Sequence, residues 1–189
     1  MKVEGMILAA GLSSRAGTNK LILDVHGKTV IEKCILSMYD LCSRIVVIGG
    51  YRIEDIKEII SKYPKVELIY NDDYLEGMFS SIKKGLINIE GTRFFLIPGD
   101  YAAINKKTYE KILTIDKDIV IPLYNKRRGH PLLMKSHLIK EILKDDSCKT
   151  LRDFINKNVV SFVDVDDGGI LMDIDTMEDY ETILHFLKS

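Results

Sequence analysis

Residues 8–28 read LAAGLSSRAGTNKLILDVHGK, a polar, glycine-punctuated stretch that follows an apolar run. Its side chains are of the types that bind phosphate. Ala9, Ala10 and Gly11 carry little or no side chain, so their backbone N–H groups can come close to a ligand. Gly11 and Gly17 permit positive φ, which lets successive N–H groups converge on an anion. Arg15 adds a planar fork for phosphate oxygens and Lys20 a point charge. The stretch is not a Walker A loop, because five residues rather than four separate Gly11 from Gly17 and no Lys-Ser/Thr pair follows. Nor is it GxGxxG, which removes the dinucleotide-binding reading.

Carboxylates form the second group. LIPGD ends an apolar strand in Asp100, and MDIDT places Asp173 and Asp175 two apart. If that segment is extended, its side chains alternate and both aspartates face one way. Should they meet Asp100, Asp100 and Asp175 can hold one hard divalent cation, with substrate phosphates completing the shell. The plainer roles stay open: a turn or helix cap for Asp100, a helix cap for Asp175. Asp166 and Asp167, beside Gly168-Gly169, read as a hairpin turn and nothing more.

Three further places carry polar groups. Asn71 ends the third strand. GMFSS opens a helix, where Gly77 with Ser80 and Ser81 either presents N–H groups and hydroxyls to a ligand or is an ordinary helix start. RRGHP sets Arg127, Arg128 and His130 around a tight turn, with a solvated charge run as the alternative. His26, His137 and His185 are scattered and form no zinc-ligand spacing.

These residues need a frame that gathers them. VIEKCILSMYDL, IEDIKEIISKY, MFSSIKKGLINI and NKKTYEKILTI have helical periodicity. They alternate with KVEGMILAA, RIVVIGG, KVELIYN, RFFLIPGD and DIVIPLY, several of them apolar on both faces. Such strands belong in a mostly parallel sheet with helices on both sides. After DIVIPLY the rhythm changes: NKRRGHPLLMK reads as a turn and a strand, SHLIKEILK and KTLRDFINK as short helices, VVSFVDVDDGGILMDIDT as extended, and MEDYETILHFLKS as a closing helix. The fold expected is α/β: a three-layer Rossmann-like sandwich with a mostly parallel mixed sheet. In such sheets ligands bind at the carboxyl ends of the strands, where the polar residues above collect.

Length and composition bound the rest. The 189 residues suit one domain spanning 1–189. A formal net charge of −1 argues against nucleic acid or an anionic membrane surface as the main partner. Cys34, Cys42 and Cys148 are odd in number and unpaired in spacing, which points to a reducing cytoplasm. No apolar run reaches the roughly 18 residues of a membrane span, and the N-terminus is unlike a signal peptide.

Together the motifs resemble a known family. The opening stretch is similar to LAAGxSxRMGxxKxLL, the signature of nucleotidyltransferases with a glycosyltransferase-A-like Rossmann fold, of nucleotide-diphospho-sugar transferase type. NDDYLEGMFSSIKKGL, PGDYAAI, YNKRRGHPLLM and DIDTMEDY follow in the order found in the molybdenum cofactor cytidylyl- and guanylyltransferases. The resemblance implies a triphosphate held by Ala10, Gly11, Ser13, Arg15 and Lys20; Leu8, Ala9, Asn71, Gly77 and Ser80 are the further residues expected on the nucleotide. It implies Arg15, Lys20 and Asp100 as the catalytic set and Mg²⁺ on Asp100 and Asp175, with Asp173 a weaker candidate. Gly129, His130 and Pro131 would face the pterin substrate. The double alanine resembles the cytidine-selective members, which implies CMP transfer from CTP to the terminal phosphate of molybdopterin, with a molybdenum hydroxylase as transient partner. GTP as donor, a sugar phosphate as acceptor, and a non-catalytic carrier of the cofactor are the alternatives. Tyr101 and Ala102 stand where the family usually has Gln-Pro, and Ala16 where it has methionine.

Overall fold

The computed structural model describes residues 2–11 and 19–188. The elements in chain order are β1 (Val3–Ala9), β2 (Asp24–Val25), β3 (Lys28–Thr29), α1 (Val30–Met38), β4 (Arg44–Gly49), α2 (Glu54–Ile60), β5 (Val66–Tyr70), α3 (Met78–Leu86), β6 (Arg93–Pro98) and α4 (Lys106–Leu113). β7 (Ile119–Tyr124), β8 (Arg127–Arg128), β9 (Leu132–Lys135), α5 (Ile139–Lys144), α6 (Leu151–Lys157), β10 (Ser161–Asp164) and α7 (Met177–Phe186) follow.

The main sheet runs β10-β7-β9-β6-β1-β4-β5, with β8 added to β7. β1 pairs in parallel with β4 and β6, β4 with β5, and β10 with β7. β9 is antiparallel to both of its neighbours, so it begins at the edge where the parallel strands end. That edge collects Ala10, Gly50, Asn71 and Asp100 from four successive parallel strands and the Gly129–Pro131 turn from the start of β9. The mixed, mostly parallel sheet is the one predicted from doubly apolar strands.

Alternation along β1 explains the layers. Ile7 and Ala9 join the core shared with Ile31, Ile35, Phe95 and Tyr109. Met6 and Leu8 face the opposite core of Ile82, Phe94, Leu96 and Phe154. Burying one such aliphatic side chain contributes about 1.5–3 kcal/mol, so these two cores fix the register of the central strands. β5 closes one edge of the sheet; its Glu67 pairs with Arg44 of β4. The buried Arg93, at the start of β6, donates to the carbonyls of Leu113 and Ile115 and so satisfies the C-terminal end of α4. All three cysteines are buried free thiols, and burial pushes Cys42 up to about 12. Among the described residues no helix is long and apolar enough to cross a membrane.

Two stretches depart from the sequence reading. The segment expected to be extended to residue 176 is a strand only over Ser161–Asp164; a 3-10 turn covers Gly168–Leu171, and residues 172–176 are irregular. Asp167 is the reason. Its carboxylate accepts from Gly169 N (3.0 Å), Asn105 N (2.9 Å) and Thr108 Oγ (2.5 Å), which turns the chain and fastens it to the start of α4. The Asp166-Asp167 segment is therefore no hairpin turn; Asp167 is a buried tie between distant segments. Asp167→Ala is expected to cost about 3 kcal/mol, because it orphans buried donors. Urea unfolding at neutral pH measures it.

Candidate active site

Lys20 is held from below before it meets any partner. It opens a 3-10 turn, Lys20–Ile22, capped by Asn19, whose Oδ1 accepts from Leu21 N at 3.2 Å. Asn19 is buried and donates its amide to Asp55 Oδ2 of α2 (3.0 Å), while Arg52 holds the same carboxylate at 2.7 Å. The Lys20 side chain then reaches Asp100 Oδ2 at 2.6 Å and Asp175 Oδ1 at 3.1 Å. Asp100 stands at the end of β6, positioned where Gly99 N donates to Leu8 O (2.8 Å) and ties β6 to β1.

Asp173 joins them. One carboxylate oxygen from each of Asp100, Asp173 and Asp175 lies within 4.8 Å of the others. The two aspartates converge although their segment is irregular, so strand alternation is not what brings them to one side. Thr176, not Asp175, caps α7, in a reciprocal box with Asp179. Asp175 receives support from that box through its own N–H to Asp179 Oδ2 (3.1 Å).

Burial shapes the charges. The side chains of Lys20 and Asp100 are 15% and 14% exposed. Desolvation raises the Asp100 carboxyl above the ordinary carboxylate range despite the attraction of Lys20. For Lys20 burial pulls down, but the charges of Asp100 and Asp175 outweigh it and hold the ammonium above its usual value. Asp100 Oδ1 is sealed from solvent and has no hydrogen-bond partner among the described residues. An acceptor in that state is one that a bound cation satisfies.

The other expected residues divide. Leu8, Ala9 and Ala10 are buried at the end of β1, and Gly11 is exposed with open space around its Cα. Ser13 and Arg15 lie outside the described residues. Asn71 gives its amide to Ser80 Oγ (2.9 Å) and Ser81 Oγ (3.0 Å) and accepts from Asp73 N (3.2 Å). Ser80 Oγ donates to Asp73 O and Gly77 O. These side chains shape the loop over residues 71–81. Gly77, at φ +97°, lets that loop enter α3, which has no side-chain cap over its first N–H groups. A side chain at Gly50 would run into both Tyr74 and Ala10, so the ends of β1 and β4 lie close against this loop.

On the far side of Asp100 lies the Gly129–Pro131 turn. Gly129 N donates to Pro122 O and His130 N to Ile170 O, both at 3.0 Å, and a side chain at Gly129 would run into the Ile170 carbonyl. The His130 ring meets Tyr101 edge-on, with centroids 4.8 Å apart, and its Nδ1 is enclosed without a partner among the described residues. Tyr101, next to Asp100 in the chain, thus touches His130, a position the sequence marked only as a departure from the family pattern. Arg127 and Arg128 are exposed on β8, Arg128 lying over the Phe162 ring at 4.7 Å.

Burial drops the His130 imidazole to about 4, with contact to the Leu96 backbone working the other way. An unfolded imidazole takes its proton near 6.5. The stability from the neutral ring is therefore whole above that pH and is lost as pH falls toward 4. The full loss is about 3 kcal/mol. His130→Phe should flatten this part of the stability profile, as denaturant unfolding at pH 7 and pH 4.5 would show.

Comparison with known proteins decides the family. Residues 5–162 match the model of the MobA-like NTP transferase domain. The chain belongs to that family. The molybdenum cofactor cytidylyltransferase of Escherichia coli K12 is 28% identical over 181 residues, 95% of this chain and 94% of that protein. A probable molybdenum cofactor guanylyltransferase of Bacillus cytotoxicus is 27% identical over 195 residues, covering 96% of each. A nucleotidyl transferase from Methanothermobacter thermautotroptrophicus superposes with a TM-score of 0.85 at 22% identity, over 99% of this chain and 98% of that one. The matched MobA-like segment contains Lys20, Asp100 and His130 but stops before Asp173 and Asp175. The place of those two aspartates beside Asp100 is a finding of the geometry.

Proposed function

We propose that this MobA-like transferase moves CMP from CTP to the terminal phosphate of molybdopterin, forming molybdopterin cytosine dinucleotide and releasing pyrophosphate. The observation that carries the reading is the meeting of Lys20 with Asp100, Asp173 and Asp175 beside the end of β1, where the glycine-rich loop begins.

Asp100, Asp173 and Asp175 fit a Mg²⁺ ion: all are hard oxygen donors, and the enclosed Asp100 Oδ1 lacks a partner among the described residues. When bound, such an ion supplies neutralisation of charge at the α-phosphate. The protein's own residues do the positioning. The short side chains at Ala9, Ala10 and Gly11 admit the phosphates to the backbone, and Lys20 with Arg15 stabilises the leaving pyrophosphate. The attacking phosphate monoester is already anionic near neutral pH, so no general base is needed. Tyr101 and His130 line the acceptor side in this reading, and a molybdenum hydroxylase would receive the product.

GTP is the second donor considered, because guanylyltransferase relatives match at nearly the same identity as the cytidylyltransferase. Pyrophosphate release with CTP or GTP and Mg²⁺, each with and without molybdopterin, tests the proposal. Turnover with CTP only when molybdopterin is present is the expected result. Turnover with GTP alone would move the base assignment, and cofactor binding with no turnover would indicate a carrier.

A further inference from the structure

We propose that Lys20 is a resident counter-ion, its ammonium standing between Asp100 and Asp175 where a divalent cation would otherwise bridge them. The nucleotide-free protein then binds such a cation weakly, and the cation enters together with the triphosphate that draws Lys20 away. This rests on the metal reading above and adds an order of events to it.

Three observations lead here. First, the ammonium contacts both carboxylates, at 2.6 Å and 3.1 Å, and the oxygens of the cluster lie within 4.8 Å of one another. Mg²⁺–oxygen distances are about 2.0–2.1 Å, so one such gap takes an ammonium or a metal ion, not both. Secondly, Lys20 and Asp100 are mostly enclosed. Solvent screens their attraction poorly, and pushing the ammonium out without a new anion would leave a poorly solvated charge. Thirdly, Asn19 pins the backbone at Lys20 to α2 through Asp55, so the side chain must move while its anchor stays. The anion that can receive it is a phosphate chain lying over the end of β1. Lys20 thereby links two ligands: the phosphate chain that draws it off Asp100 and Asp175 is the group that next needs its charge.

The competing geometry is also specific. Asp100 Oδ1 has no partner among the described residues, and a cation held there with Asp173 would leave Lys20 in place. The two arrangements differ in what removal of the lysine charge does to metal affinity without nucleotide.

The test is a Mn²⁺ titration followed by electron paramagnetic resonance, with nucleotide absent. It uses the wild-type protein, Lys20→Met, Lys20→Arg and the double variant Lys20→Met/Asp100→Asn. Thermal unfolding checks each protein, and Lys20→Gln replaces the methionine variant if that one folds poorly. Lys20→Met should bind Mn²⁺ at least about tenfold tighter than wild type, Lys20→Arg should stay near wild type, and the double variant should lose the gain. Equal Mn²⁺ affinity in wild type and Lys20→Met, abolished by adding Asp100→Asn, would overturn the counter-ion role and leave the metal reading standing. A gain that survives Asp100→Asn, or no Mn²⁺ binding in any variant, would overturn the metal reading itself.

Discussion

Asparagine at position 100 is expected to leave the fold standing and to slow pyrophosphate release by roughly 10³-fold, the upper range for losing one preorganised electrostatic group. Asp100→Asn keeps the shape of the side chain and removes its charge. The fold tolerates this because burial already disfavours the ionised carboxylate, as its raised pKa shows. Lys20 retains Asp175 as a partner at 3.1 Å. What disappears is the enclosed member of the three-carboxylate cluster, and with it the charge that orients a cation against the α-phosphate. Steady-state pyrophosphate release, read beside circular dichroism of the same sample, measures both halves of the expectation. Near wild-type turnover in a folded Asp100→Asn protein would place the chemistry elsewhere.

Lys20→Ala should lower kcat/KM by roughly 10²- to 10³-fold. Among the described residues the Lys20 ammonium contacts both Asp100 and Asp175, and alanine brings neither a charge nor a hydrogen-bond donor to a departing pyrophosphate. Loss of the ammonium also removes the positive charge that Asp100 and Asp175 share. The variant should therefore be somewhat less stable at neutral pH than under mildly acid conditions that protonate Asp100. Kinetics at saturating and limiting nucleotide separate a binding defect from a loss at the transition state.

Much of the frame could be read from residue patterns. Strands such as IVVIG and FFLIPG are apolar on both faces, and only a sheet covered by helices on each side buries them. Residues 8–28 suggest a phosphate cradle through their small residues, glycines and lysine; the structure places Lys20 at the carboxylate cluster, while residues 12–18 of that stretch lie outside the described residues. The carboxylate cluster was legible only in part. Asp100 and Asp175 are 75 residues apart in sequence, and their meeting depends on β6 lying beside β1 and on the chain returning past Lys20 after β10. No local pattern encodes that return. The tie at Asp167 decides it, and an aspartate beside two glycines looks locally like any turn.

Other features were hidden for other reasons. The small β2–β3 hairpin turns on His26 and Gly27, both at positive φ, within a stretch whose polar residues mask the pairing. Arg93 begins an apolar strand and would ordinarily be placed in solvent. It is buried because the free carbonyls at the end of α4 come within its reach. Asn71 and Ser80 carried the right chemistry for a ligand, yet their polar groups hold a loop together. Hydrogen-bonding residue types report that a partner exists, not whether the partner is the protein itself.

The ion pair between Glu67 and Arg44 has a consequence for behaviour at high concentration. β5 is an outer strand with its backbone amides and carbonyls available on one side, and its sequence is VELIY. Without the glutamate it would be a continuous apolar ribbon, a template on which a second molecule could add a strand. One charged residue, with the shortness of the strand, protects the protein from sticking to copies of itself.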